Sequence, residues 1–97
     1  LITREQILSE LKSGKQFFLE KFGVEEVGLF GSYARNEDAN ASDIDIIVKL
    51  KEPRFSSIVQ FSRYLENHFG KEVHLTTIGH HLSQRFLNRI EKEVIYV

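Results

Sequence analysis

The sequence predicts a small α/β (α+β) domain, a mixed sheet of three or more strands flanked by helices. Two long stretches, 3–22 and 55–69, repeat apolar residues near the helical period. Between and after them lie short runs rich in β-branched residues, 24–30, 43–50 and 73–77, each suited to a strand. Gly23 and Gly70 stand where the two long helices should stop. At 97 residues one core is expected, so 1–97 reads as a single domain.

Taken in order, Thr3 and Gln6 match a capping box that satisfies the first free N–H groups of a helix. Ile7, Leu8, Leu11, Phe18 and Phe22 mark its buried face, and Ser13-Gly14 is where a kink or break is expected. The strand at 24–30 ends in Gly31-Ser32, and Ser32-Tyr33-Ala34-Arg35 opens a helical turn. Residues 36–42 are small and polar and read as a loop. In the strand at 43–50, Ile44, Ile46 and Val48 share one face, while Asp43, Asp45 and Ile47 share the other. Lys51-Glu52-Pro53 closes it, and the next helix buries Phe55, Ile58, Val59, Leu65 and Phe69. Val73, Leu75 and Thr77 alternate with His74 and Thr76 in a third strand. Leu82, Phe86 and Ile90 mark a last helix, and 94–97 can add a short extended tail.

Composition narrows the function. The 13 basic and 14 acidic side chains leave a net charge of −1, so no bulk field for nucleic acid exists. The absence of Cys excludes disulfides, thiolate zinc sites and a Cys nucleophile, and agrees with a cytoplasmic location. No apolar run approaches the ~20 residues of a membrane helix. At this size only ~60–65% of the unfolded surface is buried, so a homo- or hetero-oligomer is expected.

Asp43 and Asp45 carry the sharpest chemical signal. Residues two apart on a strand face the same way, roughly 6.5–7 Å apart. Two carboxylates so placed repel by ~2–3 kcal/mol at an effective dielectric near 20, which a cation between them relieves. Mg²⁺ takes oxygen ligands and binds through one or two carboxylates plus substrate phosphates. Gly31 lets backbone approach a ligand closely, Ser32 offers a hydroxyl beside the N–H groups of a helical start, and Arg35 stands about one turn on.

Together these segments read Leu29-Phe30-Gly31-Ser32-Tyr33-Ala34-Arg35, a polar loop, then Ser42-Asp43-Ile44-Asp45-Ile46-Ile47-Val48. This pattern closely resembles the nucleotidyltransferase superfamily that includes DNA polymerase β, in its minimal nucleotidyltransferase (MNT) branch. The resemblance extends over nearly the whole chain, to Arg89-Ile90-Glu91-Lys92-Glu93-Val94-Ile95-Tyr96-Val97. It implies a nucleotidyltransferase-like fold in which Gly31 and Ser32 hold the nucleotide phosphates and Arg35 assists them. It assigns Asp43 and Asp45 to the catalytic divalent ions, Mg²⁺ or Mn²⁺. The implied reaction transfers a nucleoside monophosphate, AMP from ATP, to a protein acceptor hydroxyl. The implied partner is a HEPN-domain protein, with this chain as the antitoxin of the pair. The alternative is a catalytically degenerate subunit that neutralises its partner by complex formation.

One residue departs from the family pattern. A third carboxylate belongs on the next strand, and His74 stands there within Glu72-Val73-His74-Leu75-Thr76. Imidazole suits softer ions than Mg²⁺, and it can also serve as a general base. Glu72 shares the strand parity of His74. His68, His74, His80 and His81 form no recognisable zinc spacing. Arg85, Arg89 and Lys92 read as a solvated basic flank of the last helix.

Overall fold

The computed structural model describes residues 2–37, 43–79 and 81–97. Its elements are α1 (Arg4–Phe22), β1 (Val24–Phe30), α2 (Gly31–Ala34), β2 (Ile44–Leu50), α3 (Phe55–Phe69), β3 (Val73–Thr77), α4 (Gln84–Glu91) and β4 (Ile95–Tyr96). The sheet runs β3-β2-β1-β4. β1 is antiparallel to both β2 and β4, and β2 is parallel to β3 through the α3 crossover. The mixed sheet flanked by helices is therefore as expected, and the tail at 94–97 supplies its fourth strand. Val97 N–H adds a 3.2 Å bond to the Val27 carbonyl.

Local chemistry sets the boundaries. Thr3 and Gln6 form both halves of the capping box, with bonds of 3.1 and 2.8 Å. Gly23 and Gly70 end α1 and α3 in the left-handed conformation, at φ 72° and 69°. No break occurs at Ser13-Gly14, where α1 continues through 19 residues. The Phe18 ring lies in the space a Cβ at position 14 would need, so Gly14 serves close packing rather than a bend. Asp43 sits one residue ahead of β2 rather than inside it. Of the expected loop at 36–42, Asn36 adopts φ 57°, and 38–42 lies outside the described residues.

The two sheet faces carry unequal cores. Leu29, Ile44, Ile46, Val48 and Val73 meet Ile7, Leu11, Phe18, Phe22, Phe61 and Leu65 of α1 and α3 in the main core. On the opposite face Phe30 and Ile47 pack with Ile90 of α4, joined by half-buried Ile78, Phe86, Leu87 and Val94. The buried face of α3 corrects the sequence reading. Phe55 is 81% exposed, whereas Phe61, which the sequence reading left out, is 0% exposed. At about 100° per residue, Ile58, Phe61, Leu65 and Phe69 form one stripe, and Phe55 lies off its centre at the helix's first residue. Phe61 instead packs its ring 4.9 Å from Phe18 and 5.1 Å from Phe22. Phe61→Ala should cost ~3–5 kcal/mol in urea unfolding, whereas Phe55→Ala should stay within about 0.5 kcal/mol.

Candidate active site

Strand register builds the site. Phe30 of β1 pairs with Asp45 of β2, so the start of α2 lies directly beside the Asp45 carboxylate. Gly31 has φ 75°, and a Cβ there would overlap the Asp45 carboxylate. Two requirements thus coincide at one residue: a left-handed backbone and room for a carboxylate. Ile44 and Ile46, both 0% exposed, turn into the main core and aim Asp45 at the opposite face. There a cleft of about 560 Å³ is lined by Phe30, Gly31, Ser32, Arg35, Asp45, Arg89, Lys92 and Glu93.

Asp43 lies beyond Asp45, toward β3. Its Oδ2 is 2.8 Å from Nε2 of His74, the residue paired with Asp45 across the β2–β3 ladder. Ligand atoms of Asp43, Glu72 and His74 all fall within 4.8 Å of one another. The structure thus brings Gly31, Ser32, Arg35 and Asp45 into one cleft and sets Asp43 on its β3 side. Arg85 does not line the cleft, but Arg89 and Lys92 do, together with Glu93. Sequence reasoning treated Arg89 and Lys92 as solvated. Their only sequence signal was position, one helical turn apart at the end of α4, just before the tail that pairs with β1.

Electrostatics distinguish the charged residues. Burial is the main cause of a raised Asp45 pKa, with Asp43 and Glu93 adding to it and His74 and Arg35 opposing it. A carboxylate held partly dry beside another is a position that a bound cation stabilises. Carboxylate oxygens such as those of Asp43 and Asp45 are hard donors, and the imidazole of His74, 2.8 Å from Asp43, is a softer one. Arg35 donates to Glu37 at 3.1 Å, to Glu93 at 2.6 Å and to Ser32 Oγ at 3.5 Å. The hydrogen bonds to Glu37 and Glu93 hold its pKa above the ordinary guanidinium value. Arg35 therefore stands on the cleft rim with its charge shared by two carboxylates.

A mixed sheet carrying a glycine-serine turn against a strand aspartate defines the class. The nucleotidyltransferase domain family matches residues 11–97, and the chain belongs to that family. It is 37% identical over 98 residues to the protein adenylyltransferase MntA of Thermococcus cleftensis, spanning 100% of this chain and 98% of that one. A solved minimal nucleotidyltransferase superposes with a TM-score of 0.79 at 24% identity, covering 97% of this chain and 95% of that one. A tri-AMPylated HEPN toxin of Shewanella oneidensis in complex with its MNT antitoxin gives a TM-score of 0.63 at 16% identity, covering 92% and 70%. These two likenesses show the fold. Among the described residues no helix is long and apolar enough to cross a membrane.

Two measurements check this geometry. Gly70 shares the left-handed backbone but has nothing within 4 Å of its would-be Cβ. Gly70→Ala should therefore cost only the ~1–2 kcal/mol of that conformation, while Gly31→Ala should cost more, because it also displaces Asp45. Equal losses in urea unfolding would show that the Asp45 contact is immaterial. The raised Asp45 pKa sets the second test. Between the ordinary carboxyl range and the raised value the native state binds more protons, so this group's contribution to stability falls as pH rises through that window. Asp45→Asn lacks this loss. Its Tm advantage over the wild type, without added metal, should widen as pH rises through that window, read by thermal unfolding across pH.

Proposed function

We propose that this chain transfers AMP from ATP to a hydroxyl of a HEPN-domain partner protein, acting as the antitoxin of that pair. The observation that carries the reading is the meeting of the Gly31-Ser32 turn and Asp45 in one cleft that Arg89 and Lys92 also line. In this reading the Ser32 hydroxyl and the first N–H groups of α2 take the triphosphate oxygens. Asp43 and Asp45 hold Mg²⁺ or Mn²⁺, and the ion supplies charge stabilisation at the transferring phosphoryl group. The acceptor hydroxyl gives up its proton to water, its oxygen forms a bond to the α-phosphorus as the bond to the bridging oxygen breaks, and pyrophosphate departs. Arg35, Arg89 and Lys92 offset the charge gathered on it. Two relatives support the acceptor class: MntA is named a protein adenylyltransferase, and the Shewanella complex contains an AMPylated HEPN toxin.

A second reading draws on His74, which stands where the family pattern has a third carboxylate. There the chain neutralises its partner by complex formation alone. Intact mass of the HEPN partner separates the two after incubation with this chain, ATP and Mg²⁺ or Mn²⁺. Transfer gives discrete increments of one AMP, and an unchanged mass in a stable complex supports the second reading. Changes behind a metal ligand typically cost ~10–100-fold, so Asp45→Asn should slow transfer at least ~10²-fold. Calorimetry should also show ATP binding that EDTA weakens; equal affinity with EDTA and with Mg²⁺ would count against a metal-bridged nucleotide.

A further inference from the structure

On the β3 side of the cleft, two carboxylates and an imidazole converge from two chain segments. The ligand atoms of Asp43, Glu72 and His74 lie within 4.8 Å of one another, with His74 Nε2 2.8 Å from Asp43 Oδ2. A His–Asp ion pair accounts for two of these groups. It does not account for a second carboxylate brought against the first, where like charges repel. The backbone beneath them is fixed: Ile44 N–H donates to the Glu72 carbonyl at 3.0 Å, and Ile44 pairs in register with Val73. Ile44 and Val73 are buried on the main-core face, so the residues flanking them project together from the other.

We propose that Asp43, Glu72 and His74 form a site for a first-row transition-metal dication of the Mn²⁺, Co²⁺ and Zn²⁺ class, adjoining the transfer cleft and sharing Asp43 with it. One imidazole nitrogen with two carboxylate oxygens favours those ions over Mg²⁺. Ligands ~2.0–2.2 Å from such an ion stand ~3.3–3.6 Å apart in tetrahedral geometry. Closing the set therefore takes about 1 Å of side-chain movement, which the exposed Glu72 and His74 can make. His74 thereby replaces a hard ligand with a softer one and changes which ion this side of the site selects.

The test is Co²⁺ titration of the full chain without nucleotide, followed by visible absorption. The wild type should take up one Co²⁺, which Zn²⁺ displaces stoichiometrically and a hundredfold excess of Mg²⁺ does not. His74→Ala should weaken Co²⁺ binding at least ~10²-fold and Glu72→Gln about tenfold. His68→Ala, whose imidazole faces Glu10 at 2.6 Å, should leave it unchanged. His74→Asp should lose the Co²⁺ preference and gain Mg²⁺ affinity. His74→Gln repeats the test if the alanine variant proves unstable on heating. No Co²⁺ uptake, equal affinity in the His74 or Glu72 variants, or displacement by comparable Mg²⁺ would overturn the site. Mg²⁺-dependent ATP binding of the wild type and Asp45→Asn, measured in parallel, reports on the transfer reading separately, because Asp45 lies outside the Asp43, Glu72 and His74 set.

Discussion

The antiparallel register that sets Phe30 opposite Asp45 is the constraint on which the rest of the site depends. Slipping β1 by one residue against β2 would turn Asp45 away from the α2 turn and expose the isoleucines that flank it. Burial resists that slip, because Leu29, Ile44, Ile46 and Val48 all sit in the main core. Apolar packing on one face thus positions charged groups on the other. Arg4 secures the far end of the turn, donating to the Ala34 carbonyl at 3.3 Å. A small sheet with no buried charged side chain among the described residues can in this way hold a carboxylate against a glycine backbone.

The charges at the mouth are arranged in opposition. Acidic side chains come from the β2 and β3 side, and Arg89 and Lys92 come from the end of α4. Glu93 sits among the cations and occupies part of the Arg35 guanidinium. The cleft therefore combines carboxylates with the cationic side chains of Arg35, Arg89 and Lys92. Neither feature depends on the chain's overall charge of −1.

Local signals in the sequence foretold the elements well because each has a local cause. The Thr3–Gln6 cap, the stops at Gly23 and Gly70 and the alternation through Ile44, Ile46 and Val48 all act within a few residues. Elsewhere packing overrides the local signal. Gly14 reads as a weak point, but the Phe18 ring one helical turn on fills the space beside it, and Phe61 is buried by aromatic partners on α1. Gly31, Ser32, Asp43 and Asp45 stood out because a turn and a strand parity mark them. Arg89, Lys92 and Glu93 carry no such mark. They reach the cleft because α4 packs Phe86 and Ile90 against Phe30 and Ile47 and because β4 pairs with β1, contacts between residues far apart in sequence.

The division of the apolar residues into a large and a small cluster has a dynamic consequence. α1 and α3 are sealed to the sheet by the main core, whereas α4 rests on a cluster whose buried members are Phe30, Ile47 and Ile90. β4 holds its edge with a pairing two residues long. Cooperative units with fewer buried contacts open at lower free energy than the global transition. Amide protons of α4 and β4 should thus exchange through a partial opening that leaves β1, β2 and β3 intact. Arg89 and Lys92 belong to the part that opens, and Asp45 to the part that stays in place.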